Sequence, residues 1–379
     1  MTLNIRNQLA CDKCNAEMYG LTYRPIKTQR GVQVVVCRAC GLAQSFYTSQ
    51  YQSRPPGNMS CDADRSSIRY TKSLVSNDYI KAVNLATSDL SSSTPLSVLD
   101  IGSNRGAFHD LISAQFPKSK YCGIEPDERV VDYVPANGNV IVDRVENVTF
   151  QNGSFDLVYC VHSLEHVISA MSVLRNISSW LKETGRLVLG VPKIELYDDI
   201  VEEIFIDPHT FHFRHIDIVE YAEKVGLSVE YLSNEKHHDV IVVLSKDRIK
   251  KPYPSKKEST PFDLCLYAER LRSNRAGVDQ IARKVSSLSH KHPVLIWGAG
   301  RIFDCLHKQS SWEPSDLYVY DKFIRKVMPT MGGKELLTEK GLAELKPETV
   351  VFVASRDYFE EIKREALEIG FKDIRRLGE

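Results

Sequence analysis

The chain has 379 residues, with 49 Lys plus Arg balanced by 49 Asp plus Glu. At about 150 residues per domain this length asks for two or three domains, and the zero net charge excludes a global field that would gather nucleic acid or an anionic membrane. No apolar run approaches the roughly 18 residues of a bilayer span, and the opening MTLNIRNQLACDKC lacks the apolar core of a secretory signal. We therefore expect a cytoplasmic protein with no membrane insertion and no nucleic-acid partner. Its nine cysteines then serve as metal ligands or buried thiols rather than disulfides.

Residues 1–60 carry Cys11-x-x-Cys14 and Cys37-x-x-Cys40, with 22 residues between the pairs. Each pair presents two thiolates from one tight knuckle, and Gly41 supplies the positive φ such a knuckle needs. VQVVV at 32–36 reads as a strand into the second knuckle. Four sulfur ligands in two pairs favour tetrahedral Zn²⁺ in a closed, structural site. A redox pair would need a βα unit that is not apparent nearby.

Residues 48–94 are polar and Ser-rich. Within them, Ile68, Leu74, Val75, Tyr79, Ile80 and Val83 fall at helical spacing, predicting helices that lead into the next domain and cover its ligand. Residues 61–245 form that domain. SVLDIG, KYCGIEP, NVIVDR, FDLVYCV and GRLVLGVP read as strands alternating with helices, and LSVEYLS and DVIVVLS as a closing antiparallel hairpin. The pattern is a doubly wound α/β fold.

The first strand ends at Asp100 and breaks into Gly102-Ser103-Asn104-Arg105-Gly106, followed by an amphipathic stretch with Ala107, Phe108, Leu111 and Ile112. Strand, glycine turn and helix mark the place where a nucleotide-like ligand approaches the backbone. That makes Asp100, Gly102, Asn104 and Gly106 candidate ligand contacts. Glu125, 25 positions on from Asp100, can accept from two ribose hydroxyls, and Asp143 can receive an adenine amino group. The fourth strand delivers His162, Glu165 and His166 to the carboxyl edge of the sheet, where Glu165 is a candidate acceptor contact.

Residues 246–261 (KDRIKKPYPSKKESTP) read as a linker. Residues 262–379 repeat the theme: a long amphipathic helix over 262–290, then PVLIWGAGRIFDCL, LYVYDK and TVVFVAS, a small Rossmann-like domain. Gly298, Gly300 and Arg301 could hold the phosphates of an acceptor and Asp321 a ribose hydroxyl. A structural remnant of the fold is an equal reading. Cys61, Cys122, Cys160, Cys265 and Cys305 read as small buried apolar residues, and Trp297 as core.

The succession Asp100, Glu125, Asp143, Asp156, with SSWLKETGRLVLGVP behind it, resembles the class I S-adenosylmethionine-dependent methyltransferases. Thr184 stands where that family often has a glycine. The resemblance implies S-adenosylmethionine as the methyl donor. A cysteine module in front and a WGAG turn behind are similar to the bacterial sugar methyltransferases, including C-methyltransferases, and imply a nucleotide-linked or glycan-linked sugar as acceptor. In those C-methyltransferases a Glu-His-x-x-Tyr segment follows the Val-Pro strand. DPHTFHFRHID at 207–217 corresponds, with His209 matching the histidine, Pro208 in place of the glutamate and His212 in place of the tyrosine. C- and O-methylation both stay open, as does an O-methyltransferase on another small metabolite. A non-catalytic binding protein of this fold would show a degraded cofactor turn, whereas Asp100, Gly102, Gly106 and Glu125 are intact.

Methyl transfer from a sulfonium requires the acceptor to be positioned and a proton removed, and a histidine suits that proton. His162, His166, His209, His212 and His215 are the candidates, with His209 best placed. No H-E-x-x-H spacing marks a second metal site. Nothing in the sequence sets the oligomeric state.

Overall fold

In the N-terminal segment, short strands flank the two cysteine pairs, and Val34, Val35, Val36 and Cys37 are buried in succession. The computed structural model describes residues 3–4, 10–23, 32–47, 75–128, 139–194, 209–234, 237, 239–246, 264–310, 317–326, 328–355 and 358–378. Strands β1 (Leu3–Asn4), β2 (Met18–Tyr23), β3 (Val32–Cys37) and β4 (Ala43–Tyr47) pair antiparallel in chain order. Each knuckle closes through a backbone bond from the residue after the pair, Asn15 N–H to Cys11 O and Gly41 N–H to Cys37 O, both 2.8 Å. Both donors are left-handed, Asn15 at φ 61° and Gly41 at φ 71°.

This small sheet is not self-contained. Its fifth strand, Phe211–His212, comes from far along the chain and pairs with β4. Asp12, inside the first knuckle, accepts from Ser169 Oγ (2.5 Å), Met171 N–H (2.9 Å) and Tyr221 Oη (2.7 Å). Lys13 donates to Asp217 at 2.7 Å and also to Glu220, while Arg214 bonds Cys40 O at 2.7 Å. Cys11, Met18, Val35, Cys37 and Leu42 share one core with Phe211, Phe213, Ile218 and Tyr221.

The central unit runs α1 (Asn77–Ala86), β5 (Ser97–Ile101), α2 (Ala107–Gln115), β6 (Lys120–Ile124), β7 (Asn139–Ile141), β8 (Phe155–Val161), α3 (Ala170–Trp180), β9 (Leu181–Pro192), β10 (Phe211–His212), α4 (His215–Lys224), β11 (Ser228–Leu232) and β12 (Asp239–Ser245). The sheet order is β11-β12-β9-β8-β5-β6-β7. From β9 to β7 the strands are parallel, and β12 is antiparallel to both neighbours. Period-two side-chain alternation divides the strands between two cores. Leu99, Val158 and Leu189 face one core with α3 and α4; Val98, Leu157 and Val188 face the other with α1 and α2. Both faces are covered, as a parallel sheet requires. The hairpin expected at the end is β11–β12. Of the expected leading helices, residues 75 onward are described; Ile68, Leu74 and Cys61 lie outside the described residues, as do 247–261 of the expected linker.

The C-terminal part contains α5 (Leu264–Ser289), β13 (Val294–Trp297), α6 (Arg301–Gln309), β14 (Tyr318–Tyr320), β15 (Thr330–Met331), β16 (Lys334–Glu335), α7 (Glu339–Ala343), β17 (Val350–Val353), α8 (Phe359–Ile369) and β18 (Asp373–Arg376). Its sheet, β14-β13-β17-β18, is fully parallel and has its own cores. Trp297 is buried edge-on against Tyr320. Cys160 and Cys305 are buried and Cys122 is half-buried; the side chain of Cys265 lies outside the described residues. Among the described residues no helix is long and apolar enough to cross a membrane.

Candidate active site

The apolar strand β5 must stop where the chain turns back over the sheet, and the turn is unusually tight. Gly102 N–H and Ser103 N–H both donate to Ile124 O, at 2.8 and 3.1 Å. Gly102, Asn104 and Gly106 all have left-handed φ, 77°, 44° and 76°. At Gly102 a Cβ would lie 1.9 Å from Ser163 Oγ, so a side chain is excluded by conformation and by space. Ser163 Oγ itself donates to Ile101 O at 2.9 Å, joining the ends of β8 and β5.

Glu125 stands at the end of β6, its Oε2 accepting from Asn104 N–H (2.8 Å) and its Oε1 from Asp127 N–H (3.0 Å). These bonds aim the carboxylate along the wall of a cavity of about 500 Å³. Asp100 also lines this cavity and accepts from Tyr121 Oη at 2.6 Å. Burial pushes its pKa up to about 7, against the Tyr121 hydrogen bond and with help from the Glu125 charge. Ser103 Oγ and Asn104 Oδ1 are buried with no hydrogen-bond partner among the described residues. Buried polar atoms are costly when unsatisfied. On a cavity wall, beside the Glu125 carboxylate, they offer polar contacts to a bound ligand.

Asp143, expected to meet an adenine, is not among the residues lining the cavity. Its Oδ1 accepts from Arg144 N–H and Asn147 Nδ2, both 2.7 Å, stabilising the turn over Val145–Asn147. The cavity wall there is Arg144, Val145 and Glu146 instead. Asp156, at the opposite end of β8, accepts from Ser97 N–H (2.8 Å) and Lys182 (2.7 Å) and belongs to the scaffold.

The far end of the cavity is lined by Tyr79, His162 and His166. His162 ends β8 at φ 50°, a left-handed conformation uncommon for a side-chain-bearing residue. It is held by its N–H bond to Gly190 O at 2.9 Å. Its ring lies 3.6 Å from Glu165 Oε1 and 3.4 Å from Asp239 Oδ2, and Tyr79 Oη donates to that same Asp239 oxygen at 2.7 Å. Desolvation disfavours its charge, but Asp239 and Glu165 outweigh this and raise its pKa to about 10. The two carboxylates facing the ring favour its protonated, hydrogen-bond-donating form.

The five histidines separate. His166 is on the cavity wall. His209 is buried behind it, the two rings 4.8 Å apart, and Glu165 is buried between His162 and His166. His212 is not placed to act on an acceptor, contrary to expectation. Pairing of β10 with β4 turns it to Ser45 Oγ at 2.5 Å, and burial pushes its pKa down to about 3. His215 opens α4 and reaches Ser233. Pro208 lies outside the described residues. Sequence reasoning missed Tyr79, Asp239, Arg144 and Glu146. Tyr79 reads as one more apolar-stripe residue, whereas Asp239, an acid heading the apolar run DVIVVLS, was a signal available to find.

Residues 75–243 match the family described as "Methyltransferase domain". These residues form a methyltransferase domain on a Rossmann-like α/β sheet. The solved structures similar to this methyltransferase include an S-adenosylmethionine-dependent methyltransferase from Mesorhizobium loti, 12% identical over 44% of this chain and 99% of that one, TM-score 0.36. Another is a SAM-dependent methyltransferase from Aquifex aeolicus, 16% identical over 44% of this chain and 88% of the other, TM-score 0.37. No curated protein matches the sequence.

In the cysteine sheet the Sγ atoms of Cys11, Cys14, Cys37 and Cys40 lie within 4.8 Å of one another. The Cys11–Cys40 and Cys14–Cys37 contacts are 3.6 and 3.4 Å. A tetrahedral zinc with bonds of about 2.3 Å sets its sulfurs about 3.8 Å apart, so the set fits that ion.

In the C-terminal sheet the Gly298 turn has a fold-based explanation. At φ 114°, a Cβ on Gly298 would meet Ala354 O at 2.9 Å. Asp321 accepts from Ala299 N–H (3.0 Å), Phe323 N–H (3.0 Å) and Ile324 N–H (2.8 Å), tying the turn to its own loop rather than standing clear for a ribose. Gly300 is the N-cap of α6, and the Arg301 side chain lies outside the described residues.

Proposed function

We propose that the enzyme methylates a hydroxyl oxygen of a nucleotide-linked or glycan-linked sugar. The observation that carries this reading is the polar end of the cavity: His162 facing Asp239 and Glu165, beside Tyr79 and His166. Charged donors and acceptors on a rigid wall suit a polyhydroxylated acceptor. The opposite end, with Gly102, Asn104 and Glu125, holds S-adenosylmethionine, whose sulfonium supplies an electrophilic methyl group when bound. Methyl transfer to the acceptor oxygen would leave the donor as a neutral thioether, and the hydroxyl proton would pass to water. The protein's part is to orient the acceptor oxygen through His162 and to provide for that proton at the histidine end.

Oxygen is favoured over carbon because His212, standing where the C-methyltransferases carry tyrosine, is buried against Ser45. The four cysteines hold a structural zinc ion in this reading, with no open coordination position and no chemistry of its own.

A panel of nucleotide sugars and oligosaccharides, incubated with methyl-labelled S-adenosylmethionine and analysed by mass spectrometry, tests the assignment. Label on a sugar oxygen is expected. Label on a sugar carbon, or only on non-carbohydrate acceptors, overturns it.

A further inference from the structure

Glu165, His166 and His209 come together although no spacing in the chain announces them: one potential ligand atom from each lies within 4.8 Å of the others. Glu165 and His166 are consecutive in the turn Leu164–His166 that follows β8. His209 enters from the segment leading into β10, fixed by the Thr210 N–H bond to Glu165 O at 2.7 Å and the Ser45 N–H bond to Thr210 O at 2.8 Å. Glu165 Oε1 is 3.7 Å from His166 Nε2. Glu165 Oε2 is buried, on a side chain only 1% exposed, and has no hydrogen-bond partner among the described residues. A carboxylate oxygen withdrawn from water needs a cation or a donor.

We infer that Glu165, His166 and His209 bind a divalent transition-metal ion at the acceptor end of the methyltransferase cavity. Two imidazoles and one carboxylate suit Zn²⁺, Mn²⁺, Co²⁺ or Fe²⁺ better than the all-oxygen preference of Mg²⁺ or Ca²⁺. Three protein ligands leave coordination positions for oxygens from the acceptor. The set borders the acceptor, because His166 lies on the cavity wall and Glu165 also contacts His162. An ion here acts as a Lewis acid on an acceptor hydroxyl, lowering its pKa so that its proton is lost to solvent without a free histidine base. This role rests on the methyltransferase reading; the binding of the ion does not.

Full-length protein with zinc in its cysteine site is titrated with Mn²⁺, and the loss of the free-ion electron paramagnetic resonance signal is recorded. One Mn²⁺ per chain is expected. His209→Ala and Glu165→Gln should each weaken binding by about tenfold or more, while the cysteine-site zinc and S-adenosylmethionine affinity stay at wild-type values. Absence of binding by wild type at millimolar Mn²⁺, or binding unchanged in His209→Ala, overturns the site. Co²⁺ added to the wild type gives a reading independent of variant folding. Weak visible bands of a nitrogen–oxygen site are expected, and no cobalt spectrum, or only intense thiolate absorption, overturns it. Failure of wild type to bind S-adenosylmethionine in calorimetry would sink the methyltransferase reading alone, with the Mn²⁺ titration still deciding the metal site.

Discussion

Glu125 shows how one carboxylate is prepared for a ligand before the ligand arrives. Two backbone N–H bonds fix its oxygens at the end of β6, so little side-chain freedom is lost on binding. Glu125→Ala removes both the anchor of the Asn104 turn and the proposed ribose acceptor. S-adenosylmethionine binding, measured by calorimetry, should weaken by roughly 10- to 100-fold, the range of one or two hydrogen bonds to a charged group; equal binding would remove Glu125 from the site. Asp143 is the instructive contrast. It follows a strand at the expected distance, but a donor in its own turn, Asn147, and the next backbone N–H engage it first. Local capping competes with ligand binding for short acidic side chains. No spacing rule shows which of the two wins.

At the scale of elements, helix α4 is where the cysteine sheet is joined to the catalytic domain. Asp217, fully buried, accepts from the backbone and guanidinium of Arg214 and from Lys13. Burial works to raise its pKa, but the Arg214 hydrogen bond and the Lys13 charge prevail and lower it. Asp217→Asn leaves Lys13 and Arg214 poorly compensated and should cost about 3 kcal/mol or more of stability at neutral pH. Because the folded pKa is depressed, the stabilisation is present above the ordinary carboxylate range and is lost as pH falls through the folded value. Urea midpoints of wild type and Asp217→Asn should therefore differ most at neutral pH and converge in acid. A gap that persists or widens in acid refutes this linkage.

For the whole molecule, the consequence is that the cysteine knuckles and the proposed acceptor end share one strand. β10 closes the cysteine sheet, and the residue two before it, His209, stands behind the wall histidine His166. Zinc held by the cysteines, as proposed, would then supply folding energy to this end as well. Cys37→Ser should lower zinc content and raise amide hydrogen exchange over residues 209–213, with the β13–β17 amides unchanged. Unaltered exchange at 209–213 would show that the strand holds without the metal.

Much of this was legible in residues. The two Cys-x-x-Cys pairs, the break after LSVLDIG, Glu125 at the next strand end and the closing hairpin follow from local chemistry: ligand softness, the positive φ of a tight turn and period-two burial. Those features depend on neighbours a few positions away, so the sequence by itself determined the doubly wound fold and the placing of Asp100, the Gly102 turn and Glu125 on one cavity wall. The acceptor end was decided only in three dimensions. Tyr79, His162 and Asp239 meet because α1 packs across the end of β9 and β12. His212 is withdrawn, and His209 brought to Glu165 and His166, because β10 pairs with a strand nearly 170 positions earlier. Register in a sheet sends neighbouring side chains to opposite faces. The pairing that sets it is a long-range fact that composition, periodicity and motif do not contain.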